Sequence, residues 1–231
     1  MDNNIFRRVE KKYLLTQAQK KKLIKEISKY VVKDKYYKSN ILNIYYDTKN
    51  FDLIINSIDK PVYKEKVRLR SYEIPNMDSK VFLEIKSKYK GVVGKRRVEL
   101  TLKEFYDFLD GKYNNSQILK EIDYLFKYYD LVPAIFIGYD RLSFRGKEDS
   151  ELRITFDSNL KSRFDDLKLE SGNHGNKYFK DNLCIMEIKT LGAIPLWFTR
   201  ILSEEKIYPS SFSKYGSIYS KRLEESSKNV K

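Results

Sequence analysis

The sequence predicts an α+β protein built on an eight-stranded antiparallel sheet with helices packed outside it. Three observations predict it. Apolar and charged residues alternate with period two over eight stretches, the pattern of strands with one buried face. Helical periodicity, opened by capping residues, intervenes between several of these stretches. The 231 residues, 41% of them hydrophobic, can supply a sizeable core without disulfide or metal staples. Two geometries satisfy the pattern. An open sheet would put its apolar side on a core and its charged side in water, whereas a closed barrel would put the charged face inside and the apolar exterior under the helices.

In chain order, the first strand is expected over 5–14, and Thr16-Gln-Ala-Gln19 is a capping box before the apolar Leu23, Ile24 and Ile27 of a helix. Strands follow at 41–47, 62–74, 80–89 and 93–100. Gly91-Val-Val-Gly94-Lys95 between the last two reads as a hairpin, since its spacing fails the Walker pattern. Thr101-Leu-Lys-Glu104 caps a second helix with Phe105, Phe108 and Leu109, and Asn115 or Ser116 caps a third that ends before Pro133. Strands at 133–143 and 151–160 lead to a polar, glycine-bearing segment over 171–182, expected to be a mobile loop, and then to a strand at 183–190. Pro195 suits the first turn of a fourth helix with Trp197, Ile201 and Leu202 on its apolar face, and a short last helix follows Lys214. Nothing resembling a repeat or linker divides the chain, so one domain is expected over 1–222 and a disordered tail over 223–231.

Composition narrows the chemistry. Cys184 is the only cysteine and His174 the only histidine, so disulfides, cysteine-based zinc clusters and histidine-dependent triads are not expected. Cys184 reads as a small buried residue and His174 as a solvated loop residue. The start MDNNIFRRVE has no signal-peptide pattern, and no run reaches the roughly 20 apolar residues of a membrane span. A soluble, cytoplasmic protein is the expectation. The net charge of +14 favours polyanionic partners.

The charged face carries the strongest signal. Arg8, Glu10 and Lys12 share parity, as do Lys66, Arg68 and Arg70; Glu84, Lys86 and Lys88; Lys95, Arg97 and Glu99; Tyr139 and Arg141; Glu151, Arg153 and Thr155; and Glu187 and Lys189. A merely solvated face would accept Ser, Thr, Gln and Asn freely, whereas this one prefers Arg and Lys with Glu beside several of them. The guanidinium fork matches phosphate oxygens, and adjacent cations repel unless an anion sits among them. Glu10, Glu84 and Glu151 are candidates either for metal binding or for pairing with cations such as Lys86 and Arg153. Glu65, Glu73 and Asp165–Asp166 read as solvated surface, Asp47 as a turn or cap residue, and the tyrosine pairs as core.

R-V-E-K-K-Y (8–13), Y-Y-D-T (45–48), K-V-R-L-R (66–70), L-E-I-K (83–86), K-R-R-V (95–98), G-Y-D-R (138–141), L-R-I-T-F-D (152–157), M-E-I-K (186–189) and F-S-K-Y (212–215) occur in this order. By this set the chain resembles, from about residue 5 to 220, the VTC domain. That is the polyphosphate polymerase domain of the vacuolar transporter chaperone family, within the CYTH or triphosphate tunnel metalloenzyme superfamily.

The resemblance implies a closed eight-stranded antiparallel tunnel barrel that moves the γ-phosphate of ATP onto a growing polyphosphate chain, with Mn²⁺ or Mg²⁺ as cofactor. ATP and polyphosphate are the implied partners, and no DNA is expected. Carried over by motif, Arg68, Arg70, Lys86, Arg141, Arg153 and Lys189 would be catalytic. Lys12, Arg97, Tyr139 and Lys214 would bind substrate, with Tyr139 near the base, and Glu187 would hold the metal. Arg96 competes with Arg97, since a one-residue register shift exchanges them. Superfamily hydrolases and cyclases begin with Glu-x-Glu-x-Lys, but here Arg8 stands in the first position, a change that fits polymer binding better than two-metal hydrolysis. The alternatives are a metal-dependent tripolyphosphatase or nucleotide triphosphatase, and a non-catalytic module that binds polyphosphate or RNA.

Overall fold

The computed structural model describes residues 8–59, 61–90, 92–113, 115–179 and 183–228. Residues 5–7 of the expected first strand, Gly91 of the hairpin, 180–182 of the expected loop and 229–231 of the expected tail lie outside these, as does the side chain of Arg8. The elements in order are β1 (Arg8–Leu15), α1 (Gln17–Ile27), β2 (Val31–Asp47), α2 (Asp52–Ile58), β3 (Tyr63–Ser71), β4 (Lys80–Tyr89), β5 (Val92–Thr101), α3 (Leu102–Leu109), α4 (Gln117–Tyr129), β6 (Val132–Gly146), β7 (Arg153–Arg163), β8 (Asn176–Lys177), β9 (Cys184–Leu191), α5 (Leu196–Glu204) and α6 (Lys214–Lys228).

Eight strands form one hydrogen-bonded path, β1-β9-β7-β6-β2-β3-β4-β5, and β8 pairs beside β7. The fold is thus mixed α and β around a large antiparallel sheet of nine strands, and the eight path strands are the eight expected. The closed barrel is not what the pairing shows. Closure needs the last strand to bond to the first, and among the described residues the path ends at β1 and β5.

The chain divides into two compact units, each drawn from three stretches. The first comprises Met1–Ser39, Tyr139–Leu160 and Lys177–Phe212. Its core gathers Tyr13 and Leu15 of β1, Leu23 and Ile27 of α1, Ile154 and Phe156 of β7, Met186 and Ile188 of β9, and Phe198 of α5. Cys184 is fully buried there, as expected. The second comprises Asn40–Gly138, Lys161–Asn176 and Ser213–Lys231. Its core gathers alternate residues of β2 to β5, among them Ile44, Val67, Leu69, Leu83 and Leu100, under Phe105 and Phe108 of α3 and Leu119 and Ile122 of α4.

Capping chemistry sets the helix starts. Thr16 and Thr101 each form a full capping box, with Gln19 and Glu104 returning the bond, and Ser116 rather than Asn115 accepts from Leu119 N. Helix α2 has no local cap of this kind. Its first amide, Asp52 N, donates to Thr48 Oγ1 at 3.0 Å, and the next two, Leu53 and Ile54 N, donate at 2.9 and 3.1 Å to the buried carboxylate of Asp47 at the end of β2, which also accepts from Thr48 N at 2.9 Å.

Several expectations are corrected. Strand β2 begins at Val31, ten residues early, and the loop segment contains β8. The start of that segment is tied, because Arg163 donates to the carbonyls of Asp166, Lys168, Gly172 and His174 at 2.8–2.9 Å. Helix α6 runs to Lys228, so 223–228 are helical rather than a disordered tail. An i,i+4 pair, Lys221 with Glu225 at 3.8 Å, lies across that turn. Glu65 is 6% exposed rather than solvated, accepting a bond at 2.8 Å from each of Tyr63 and Tyr129.

Candidate functional site

In the second unit, register decides which side chains share a face. Across β3, β4 and β5, Arg68 lies opposite Glu84, which lies opposite Arg97; Lys66, Lys86 and Lys95 form the next row. On β2, Tyr45 lies opposite Arg68 and Asn43 opposite Arg70. One continuous charged face results, and Val67, Leu69, Leu83 and Ile85 take the other. The same register puts the two neighbouring arginines on opposite faces. Arg97 stands on the charged face, while Arg96, opposite Ile85, pairs with Glu121 of α4 at 3.1 Å.

Glu84 is the centre of this face. It is 1% exposed, and Arg68 brings both Nε and Nη2 to its Oε2 at 2.7 Å. Lys95 Nζ stands 2.8 Å from Oε1, and Arg97 Nη1 stands 3.9 Å away. Burial alone would raise the Glu84 pKa, but Arg68, Arg70 and Lys95 outweigh it and hold the carboxyl at about 2. Lys86, suggested as its partner by sequence proximity, is exposed and one row along, opposite Lys66 and Lys95.

The arginines are oriented from behind. Arg70 is buried and donates from Nε to Asn43 Oδ1 at 2.9 Å, and Asn43 in turn donates to Ile137 O. Arg68 Nη1 donates to Tyr45 OH at 3.0 Å. Burial raises the Tyr45 pKa, yet the facing Arg68 and Arg70 bring it down to about 8. Arg97 lies over the Phe82 ring at 4.3 Å. Lys214 opens α6, where the next residue, Tyr215, donates to Asp47 Oδ2 at 2.7 Å, and Lys66 Nζ lies 5.8 Å from the Tyr215 ring.

The first unit has its own charged face. Glu10 of β1 lies opposite Lys189 of β9, which lies opposite Arg153 of β7; Lys12, Glu187 and Thr155 form the adjacent row. Lys189 Nζ is 2.7 Å from Glu187 Oε1 and 3.9 Å from Glu10 Oε2, while Lys12 Nζ is 3.6 Å from Glu10 Oε1 and donates to Phe212 O. Arg153 is exposed, 3.8 Å from Asp34. Arg141 makes a bidentate pair with the buried Asp157, Nε to Oδ1 at 2.7 Å and Nη2 to Oδ2 at 2.8 Å. Burial would lower the Arg141 pKa, but Asp157 raises it well above the ordinary value. Tyr139 is buried, its ring centre 5.4 Å from the Arg141 guanidinium carbon. Asp157 was missed in the sequence, although its parity with Arg153 and Thr155 in L-R-I-T-F-D places it on this face.

Among the described residues no three carboxylate, histidine or cysteine side chains cluster as a metal cage. Glu187 and Glu10, which meet at Lys189, fit a different kind of site. Hard divalent ions such as Mg²⁺ are often held by one or two carboxylates, with water and substrate oxygens completing the shell.

The family profile described as VTC domain matches residues 7–221. The chain belongs to the VTC domain family. Among curated relatives, it is 28% identical over 160 residues to vacuolar transporter chaperone complex subunit 4 of Schizosaccharomyces pombe. That match covers 58% of this chain and 22% of the relative, so the chain spans about a fifth of that protein's length. Among solved structures, a candidate adenylate cyclase from Bacillus halodurans superposes with a TM-score of 0.56 at 13% identity, covering 89% of this chain and 93% of that one. A Pyrococcus horikoshii protein superposes with a TM-score of 0.49 at 14% identity, covering 93% and 99%. The adenylate cyclase likeness concerns the fold. In this VTC domain, R-L-R, E-I-K and R-R-V build the charged face of β3 to β5, while V-E-K-K, R-I-T-F-D and M-E-I-K build that of β1, β7 and β9. No described helix is long and apolar enough to cross a membrane.

Proposed function

We propose that this VTC domain is a polyphosphate polymerase that transfers the γ-phosphate of ATP to a growing polyphosphate chain. The observation that carries this reading is the set of cations around Glu84, where Arg68, Arg70, Lys95 and Arg97 share one buried carboxylate. Such a face has positive potential to spare, and its fork-shaped donors suit phosphate oxygens.

Arg68, Arg70, Lys86 and Arg97 hold phosphate oxygens, with Lys12, Lys214 and the remaining donors of Arg141 as further contacts. Arg153 and Lys189 neutralise charge that builds as the phosphoryl group moves. Glu187, with Glu10 in support, would hold a divalent ion, which would supply further charge neutralisation. Tyr139 supports Arg141 from beneath; its burial argues for that role over stacking on the base. The attacking group is a terminal phosphate oxygen of the acceptor. Its bond to the γ-phosphorus forms as the bond to the bridging oxygen breaks, and ADP leaves with the electron pair. An acceptor already ionised needs neither a protein nucleophile nor a general base, so positioning and electrostatics carry the reaction. ATP as donor and a cytoplasmic location belong to the same proposal.

Purified protein incubated with ATP, Mn²⁺ or Mg²⁺ and a polyphosphate primer tests it. A ladder of lengthened chains with stoichiometric ADP is expected. Orthophosphate without a ladder would make the protein a hydrolase, and binding without turnover a polyanion module. Arg68→Ala should lower turnover by about 100-fold or more, and Glu187→Gln should abolish it, with circular dichroism unchanged in both. Full polymer synthesis by either variant would reject that residue's role.

A further inference from the structure

At one end of the second unit, the apolar side of the sheet changes character. Beyond Val67 and Leu83, β3, β4 and β5 place Glu65, Ser87 and Arg96 on that same side. Helix α4 adds Lys120 and Tyr124, and a cavity of about 480 Å³ lies among these residues. That volume is in the range of small-molecule sites. Its polarity is graded. Glu65, 6% exposed, is the buried acceptor, and each of its oxygens already takes one tyrosyl hydroxyl. A carboxylate accepts about four hydrogen bonds, so acceptor capacity remains. Arg96 and Lys120 are exposed cations, and Tyr63 and Tyr124, the latter stacked on Tyr128, are 48% and 62% exposed.

We propose that this cavity binds a purine nucleotide, with an exocyclic amine of the base donating to Glu65, the ring against Tyr63 and Tyr124, and the phosphate on Arg96 and Lys120. Arg96 is positioned for this by its pair with Glu121, which a phosphate replaces as the partner. A purely anionic ligand would be rejected by the buried carboxylate, and a purely cationic one by the exposed cations. A molecule with a donor at one end and an anion at the other satisfies both. The site stands apart from the proposed polymerase chemistry, because Glu65, Ser87 and Arg96 point to the opposite side of β3 to β5 from Arg68, Lys86 and Arg97.

Titration calorimetry of the full chain with AMP and with GMP tests this, since both carry the amine and the phosphate but lack a triphosphate. One nucleotide per chain is expected, weakened about tenfold by Arg96→Ala and again by Lys120→Ala, and unchanged by Arg68→Ala. Lys120 is an exposed helix residue, so its variant reports on binding without disturbing the fold. Failure of both nucleotides to bind at millimolar concentration overturns the proposal. So does binding that survives Arg96→Ala and Lys120→Ala together, or binding that is lost in Arg68→Ala.

Discussion

Replacing Glu84 with Gln removes the one negative charge that Arg68, Lys95 and Arg97 share while keeping the side chain's shape. The carboxyl titrates at about 2 against an ordinary 4.5. A difference of that size, at about 1.4 kcal/mol per unit, makes the ionised form worth on the order of 3 kcal/mol to the folded state. Because the folded chain binds this proton more weakly than the unfolded one, the contribution is whole above about pH 4.5 and is lost as pH falls towards 2. Urea denaturation followed by circular dichroism at pH 7, 5 and 3.5 should therefore give Glu84→Gln a deficit of about 3 kcal/mol at the first two values. At pH 3.5 the deficit should be smaller by about 1 kcal/mol. Tripolyphosphate should stabilise the variant more than the parent, since a bound anion relieves the repulsion that the substitution exposes. A variant as stable as the parent at pH 7, or a deficit that does not change with pH, would refute the placement of Glu84 as the shared counter-charge.

Three further outcomes are expected. Asp157→Asn strands Arg141 beside a neutral partner, and breaking a buried pair in this way costs about 3–5 kcal/mol; an unchanged urea midpoint at pH 7 would count against the pair's structural role. Absorbance titration at alkaline pH should show a tyrosine ionising near pH 8, the value set by Arg68 and Arg70 at Tyr45, and Tyr45→Phe should remove that step. Polyphosphate affinity should fall with salt, and Lys86→Ala and Arg97→Ala should each reduce the slope of log affinity against log salt by about one. Arg96→Ala, on the other side of the sheet, should leave that slope unchanged.

The strands were legible because a buried sheet face imposes period two, and a single chain carries that signal without its partners. Val67, Leu69, Leu83 and Ile85 announce it between charged residues. Parity alone could not choose Arg97 over Arg96, because the choice depends on Glu84 lying opposite Arg97, and that register is a property of two strands together. For the same reason, sequence proximity drew attention to Lys86 beside Glu84, whereas register also brings Arg68 of β3 and Lys95 and Arg97 of β5 to that carboxylate. Helix α2 escaped notice because its capping carboxylate, Asp47, sits five residues before its first residue rather than at the usual cap position. The first half of β2 escaped because its run of Lys and Asp offers little apolar alternation. Glu65 reads as surface until Tyr63 and Tyr129, the latter 64 residues away, are seen to satisfy it.

The two charged faces share a composition and differ in how far their cations are matched. In the first unit, Arg141 has a dedicated carboxylate held in bidentate geometry, and Lys189 lies between two. In the second, several cations divide one carboxylate that a strand holds fixed beneath them. A fixed, shared counter-ion does something that separate pairs cannot. It keeps the guanidinium groups aligned before any ligand arrives, which lowers the entropic cost of binding, and it leaves net positive charge, which favours an anion. A phosphate entering either face meets the donors that Glu84 leaves at Arg68 and Asp157 leaves at Arg141, but in the second unit Lys95 and Arg97 stand beside the same single carboxylate. The face of β3 to β5 is for this reason the stronger seat for a polyanion, and that of β1, β7 and β9, which carries the carboxylates, the stronger place for a cation.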